Sequence, residues 1–143
     1  MPATTEIETH LRRARDLIDR DFRDSDLDLD RIAAAAFLSR SYFVRRFSRQ
    51  FGLTPGAYLT NRRIERAKDL LRFANLTVTE VCHAVGYSSL GSFSAAFLEA
   101  TGENPSAFQR RWSARENPRI PGCEILMRSE WATQEKRSPR APA

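Results

Sequence analysis

Four arginines, Arg40, Arg45, Arg46 and Arg49, surround an apolar stripe of Phe43, Phe47 and Phe51. The four-residue step of the phenylalanines is the spacing of a single helix face. A guanidinium stays charged at physiological pH and presents a planar fork of donors, so a group of them suits an anion with many acceptor oxygens. Five more bases, Arg62, Arg63, Arg66, Lys68 and Arg72, follow on the next periodic stretch. From 40 to 72, nine Lys/Arg face two acids (Glu65, Asp69), a net +7 in a chain whose total is +5, so the remainder sums to −2. A positive surface concentrated on two successive helices is the electrostatic footprint of a polyanion binder.

No comparable grouping supports catalysis. The carboxylates fall on solvated helix faces, and no Ser/His/Asp or Cys/His arrangement occurs. Cys82 and Cys123 lie far apart and His10 and His83 do not cluster with them, so no metal-ligand spacing results. His83 follows Cys82 directly and therefore points to a different helix face. Cys82 reads as a small core residue. The expectation is a protein that is not an enzyme and needs no cofactor and no metal.

The 143 residues suit one compact domain or two small lobes, and 41% hydrophobic residues suffice for a core. Charged residues at 29% and a mean hydropathy of −0.50 indicate a soluble chain. No apolar run approaches the roughly 18 residues of a membrane span. The polar start, MPATTEIETH, lacks the apolar segment of a secretory signal. A reducing, cytoplasmic setting is expected, and the pI near 9.9 favours an acidic partner, most commonly nucleic acid.

The elements that must carry these residues are helices. Thr5–Phe22 reads as amphipathic, with Ile7, Leu11, Ala14, Ile18 and Phe22 stepping by three or four and Thr5-x-x-Glu8 as a capping box. Residues 1–36 hold nine acids and six bases, net −3, and should sit away from a polyanion. Asp28–Ala36 forms a short helix with Leu29, Ile32, Ala33 and Ala36 inward. After the turn Phe37-Leu38-Ser39, Ser39 caps the basic helix. Short helix, tight turn and second helix make a helix-turn-helix pattern. Gly52 stops that helix, and Thr54-Pro55 starts a long one running to Phe73.

The pattern then repeats. Leu27, Leu29, Ile32 and Ala36 recur as Leu76, Val78, Val81 and Val85 at an offset of 49. Phe43, Phe47, Gly52, Pro55, Ala57 and Tyr58 recur as Phe93, Phe97, Gly102, Pro105, Ala107 and Phe108 at an offset of 50. One extra residue therefore enters the turn of the second copy. Thr77-x-x-Glu80 is a second capping box, Gly86 supplies the turn, and Ser88 or Ser89 caps a helix to about Thr101. Asn104-Pro105 begins a last helix ending near Trp112. Phe93, Phe97, Phe108 and Trp112 are expected in its core. Beyond Ser113 prolines interrupt the pattern. Cys123–Met127 is a short apolar run suited to an extended strand, and KRSPRAPA reads as disordered.

The two segments IAAAAFLSRSYFVRRFSRQFGLTPGAYLTNRRIERAKDLL and VTEVCHAVGYSSLGSFSAAFLEATGENPSAFQRR closely resemble the DNA-binding domain of AraC/XylS-type bacterial transcription regulators. GYSSLGSFSAAF followed by TG-x-x-P is especially specific, and the resemblance covers about residues 6–112. It implies an all-α fold of about seven helices: two helix-turn-helix subdomains joined by a long central helix. The corresponding divisions are 1–53, the connecting helix 54–73, the second lobe 74–113 and a partly disordered tail 114–143. Most of the family carries a sensor domain as well; the length expected here is that of its short, reader-only members. The resemblance further implies a monomer that reads an asymmetric site on double-stranded DNA through successive major grooves, an activator that recruits RNA polymerase, with no membrane association and a nucleoid location.

Matched residue by residue, the family's base-facing positions fall on Ser41, Val44 and Arg45 in the first recognition helix and on Leu90, Gly91, Ser92 and Ala95 in the second. The resemblance places Ser39, Arg40, Arg49, Arg62 and Ser89 at phosphates. Arg45 is suited to guanine O6 and N7, and Val44 to a thymine methyl. Two departures stand out. The second helix lacks the long polar or basic side chains common in the family, and 73–113 carries two bases against three acids. Phe37 sits where a turn glycine is common. Unequal lobes are expected, with the first supplying most of the affinity. The rival readings are an adaptor or antagonist derived from such a reader, and the detached reader half of a longer regulator.

Overall fold

The computed structural model describes residues 4–113 and 120–121. Among these residues seven helices form, in the order α1 (Thr4–Asp21), α2 (Leu29–Ala35), α3 (Arg40–Phe51), α4 (Pro55–Phe73), α5 (Val78–Ala84), α6 (Leu90–Thr101) and α7 (Pro105–Ser113). The fold is all-α. Its extended pairing among the described residues is a two-residue parallel one, β1 (Ala74–Asn75) with β2 (Ile120–Pro121). Cys123–Met127 and KRSPRAPA lie outside the described residues.

Local chemistry sets the helix ends. Asp28 caps α2 by accepting the Arg31 N–H at 2.8 Å. Thr77 and Glu80 form the reciprocal capping box of α5, with Glu80 N–H to the Thr77 hydroxyl at 3.1 Å and Thr77 N–H to the Glu80 carboxylate at 2.9 Å. That pair holds the Glu80 carboxyl below the usual range. Thr54 caps α4 ahead of Pro55 at its first turn. The expected box at Thr5–Glu8 does not form: α1 already starts at Thr4, which places Thr5 inside the helix, where its carbonyl accepts from the Thr9 hydroxyl.

The duplication is visible in the backbone. Ser39 and Ser89 cap α3 and α6, and Gly52 and Gly102 end them at φ of 81° and 80°. Gly86 turns at φ 99° and its counterpart Phe37 at φ 57°. Both helix-turn-helix units therefore use a left-handed residue at the same place. Phe37 accepts that strained conformation while lying 75% exposed, its ring edge-on to His10 at 5.3 Å.

The buried side chains fall into two clusters. One gathers Ile7, Leu11, Ala14, Ile18, Phe22, Leu27, Ile32, Phe43, Phe47 and Leu59 from α1 to α4. The other gathers Ile64, Ala67, Leu70, Leu71, Val81, Cys82, Val85, Phe93, Phe97 and Phe108 from α4 to α7. Helix α4 belongs to both: Leu59 serves the first core and Ile64 onward the second. Nineteen residues at about 1.5 Å each make it roughly 28 Å long.

Candidate nucleic-acid interface

Helix α3 is pinned by its phenylalanines. Phe43 and Phe47 are fully buried, and Phe47 packs at a tilt against Phe43 and Phe51 and edge-on to Tyr58, at 5.5, 4.6 and 5.9 Å between ring centroids. That fixes the helix's rotation and turns Arg40, Ser41, Arg45 and Arg49 to solvent, with Val44 half-buried beside them. The Ser39 hydroxyl accepts the Tyr42 N–H at 3.4 Å. Arg40 faces Asp30 at 3.5 Å, but both are well exposed, so the pair is weak and separable. Arg45 and Arg49 enter no ion pair among the described residues. The Arg45 and Arg46 guanidiniums lie 5.8 and 6.0 Å from the Tyr42 ring centroid, within cation–π reach. Sequence reasoning passed over this aromatic support, although Tyr42, Arg45 and Arg46 stand three and four residues apart on one helix face.

The bases of α4 are placed differently from the expectation of a second basic surface. Arg62 pairs with Asp19 at 3.1 Å and lies over the Phe22 ring. The same Asp19 oxygen accepts the Tyr58 hydroxyl at 2.7 Å, and burial, aided by that carboxylate, pushes the Tyr58 phenol up to about 12. Arg63 donates to the carbonyls of Phe22 and Asp24. Arg66 is 3% exposed, and burial lowers its pKa. Lys68 pairs with Glu65 at 3.1 Å, and Arg72 pairs with Asp69 at 2.9 Å beneath the Trp112 ring. Because α4 packs against both lobes, its long side chains run along apolar surface to acids, carbonyls and rings. Of the nine bases from 40 to 72, the exposed ones, Arg40, Arg45 and Arg49, all lie on α3.

Helix α6 presents a contrasting surface. Phe93 and Phe97 anchor it, and the Ser89 hydroxyl accepts the Ser92 N–H at 3.3 Å. Leu90, Gly91, Ser92 and Ala95 are exposed, Leu90 to 44%. Leu98 is exposed as well. Glu99 lines an open cleft of about 480 Å³ between α4 and α6, together with Gly56, Thr60 and Asn61. No base occurs along α6. Among the described residues no group of His, Cys, Asp and Glu is arranged to hold a metal ion, and no helix is long and apolar enough to cross a membrane.

Two capped helices, each following a short helix across a left-handed turn and joined through one shared helix, have clear counterparts. The helix-turn-helix domain family matches residues 32–111. The chain belongs to this AraC-type family. The MmsAB operon regulatory protein of Pseudomonas aeruginosa is 36% identical over 92 residues, 64% of this chain and 30% of that protein. Among solved structures, the C-terminal domain of AraT, a response regulator from Geobacillus stearothermophilus, superposes with a TM-score of 0.68 at 34% identity, covering 71% of this chain and 84% of that one. The DNA-binding domain of the global transcriptional factor AdpA, solved in complex with a target DNA, superposes with a TM-score of 0.69 at 27% identity, covering 74% and 95%. The chain spans about a third of the length of the curated relatives that it matches, between 30% and 38% for three of them. The seven-helix, two-lobed AraC-type fold expected from the sequence is the fold observed.

Proposed function

We propose that this AraC-type chain is a sequence-specific reader of double-stranded DNA that regulates transcription, as an activator, using α3 and α6 in successive major grooves. The observation that carries this reading is α3: a helix fixed by two buried phenylalanines, with Arg45 and Arg49 exposed and outside any ion pair among the described residues. Arg45 reads a base, guanine by preference, with Ser41 and Val44 beside it. Ser39, Arg40 and Arg49 hold phosphates and set the register. Arg62 drops out of the phosphate set, because its guanidinium is already engaged by Asp19 and Phe22. In the second lobe Leu90, Gly91, Ser92 and Ala95 meet base edges through apolar and hydroxyl contacts, and Ser89 meets a phosphate. The lobes are therefore unequal.

A roughly 28 Å central helix is of the order of the 34–36 Å between major grooves on one DNA face, which suits a monomer on an asymmetric site. The divisions follow as 1–53, 54–73 and 74–113, with a tail from 114. Recruitment of RNA polymerase through exposed helix surfaces, and a place in the cytoplasm at the nucleoid, complete the reading; it includes no enzymatic step.

One observation favours a second reading. The exposed face of α6 carries Leu90 and Leu98 and no base, which suits an adaptor that binds protein rather than DNA. Selection from a random duplex pool, followed by titration of the enriched sequence at several salt concentrations, separates the two. An enriched motif with affinity falling steeply as salt rises is the expected result. A motif about half the expected length would mean that α6 contributes little. An absence of enrichment, with only weak salt-sensitive binding, would refute the reader and favour the adaptor.

A further inference from the structure

The lobes are joined by more than the continuity of α4. Midway along that helix, between Leu59 of the first core and Ile64 of the second, Arg63 turns back to the first lobe. Its Nε–H donates to the Phe22 carbonyl at 2.7 Å and its Nη2–H to the Asp24 carbonyl at 2.9 Å. These carbonyls belong to the turn that follows α1. The same guanidinium lies 5.4 Å from the centroid of Tyr87, in the helix-turn-helix turn of the second lobe. Gly86, next to Tyr87, closes the contact from the other side. A Cβ there would stand 2.7 Å from the Phe22 oxygen, 3.0 Å from the Arg23 oxygen and 3.0 Å from Arg63 Nε. One side chain thus grips the backbone of one lobe while stacking on the turn that aims the recognition helix of the other. The first copy shows what this site adds. Its equivalent turn residue, Phe37, is exposed, whereas Gly86 is buried under the neighbouring lobe.

We propose that Arg63, latched onto the Phe22 and Asp24 carbonyls and onto Tyr87, fixes the orientation of the two lobes and so makes the protein selective for the spacing between its two DNA segments. Arg63 is a positioning residue: it acts through the helices that it holds and does not touch the DNA. A hinge at the middle of α4 would let α3 and α6 seat independently. A latched joint cannot follow a base pair inserted between the segments, which displaces one by about 3.4 Å and turns it by about 35°. The inference rests on the reading of the chain as a two-segment DNA reader.

The test compares wild type with Arg63→Met, which keeps the apolar stem and loses the donors, and Arg63→Lys, which keeps a donor. Each is titrated with the duplex selected by wild type, with duplexes one base pair longer or shorter between the two segments, and with a duplex holding the first segment alone. Wild type is expected to lose at least about tenfold in affinity when the spacing changes, comparable to a mismatched base pair, whereas Arg63→Met loses no more than about threefold. Binding of the single segment stays the same, and Arg63→Lys falls between. Backbone residual dipolar couplings supply a readout that needs no DNA: wild-type lobes fit one alignment tensor, and Arg63→Met lobes require two. Full spacing discrimination in Arg63→Met, or a single tensor for it, overturns the latch. So does equal loss on all three kinds of duplex, which marks a purely structural role. If wild type selects no DNA, the reader fails, and the couplings still decide whether Arg63 fixes the lobes.

Discussion

Replacing Gly86 with alanine tests whether the second turn is held by the lobe above it. The residue turns at φ 99°, and a left-handed conformation costs a residue with a Cβ about 1–2 kcal/mol. The new Cβ would stand 2.7 and 3.0 Å from two backbone oxygens, Phe22 and Arg23. Backbone cannot swing aside like a flexible side chain, and overpacking of this kind costs about 1–3 kcal/mol. The reduced freedom of the unfolded chain returns about 0.4–1 kcal/mol. The balance is a loss of about 1–4.5 kcal/mol, or a fall in Tm on the order of 10 °C for lobes of this size. Phe37→Gly, the reciprocal change at the same turn of the first copy, is the control. It relieves about 1–2 kcal/mol of left-handed strain and loses about 0.5–1 kcal/mol of backbone entropy, together with the edge contact on His10. Its stability should stay within about 1 kcal/mol of wild type. Urea unfolding followed by circular dichroism measures both. A Gly86→Ala protein within about 0.5 kcal/mol of wild type would refute the argument, because only a substitution free of strain and crowding behaves so.

Other perturbations bear on the interface and on the joints that carry it. Arg45→Ala should weaken the selected duplex by about 1–3 kcal/mol and relax preference at one base pair, with Tm unchanged; loss of Tm instead would place the side chain in the fold. Arg49→Ala should lower affinity for every sequence alike and reduce the slope of log affinity against log salt by about 0.9, as loss of one phosphate contact requires; an unchanged slope argues against that contact. Thr77→Ala should cost about 1 kcal/mol through loss of the cap on α5, read by thermal unfolding. Tyr58 keeps its proton up to about 12 in the folded protein, against an ordinary value near 10. The folded state therefore binds this proton more tightly: the stabilisation is fully present below the unfolded value and is lost as pH rises through the folded one. Phenolate absorbance should show a late-ionising tyrosine that Tyr58→Phe removes, and its persistence in that variant would assign it elsewhere.

Divergence between the two copies follows from where each turn lies. Both need a left-handed residue after the short helix, and both obtain it, from Phe37 in one and Gly86 in the other. Where the turn faces solvent, a phenylalanine bears the strain and keeps its ring outside. Where the neighbouring lobe's carbonyls lie against it, only a residue without a Cβ fits. Helices α3 and α6 differ in the same way while keeping their buried phenylalanines: the exposed face of α3 is basic, whereas that of α6 carries small residues, two leucines and Glu99 but no base.

The helices, most of their caps and the duplication were legible in the chain because their causes are local, whereas the Thr5–Glu8 box failed and the Asp28 cap went unread. Ser39, Thr54 and Thr77 bond to a backbone amide three residues on, and Phe43/Phe47 and Phe93/Phe97 declare a buried face by a four-residue step. The candidate interface was partly legible for the same reason, since a stripe that is buried leaves Ser41 and Arg45 outside. What the chain could not reveal was the destination of each arginine. Nine bases between 40 and 72 look alike in a charge count, yet Arg62 finds Asp19 and Arg63 finds the Phe22 carbonyl, about forty residues away in sequence. A long flexible side chain takes its partner from whatever packing brings within reach, and only the tertiary structure sets that. The same holds for the difference between Phe37 and Gly86: the turn is local, but the backbone lying over one of them belongs to the other lobe.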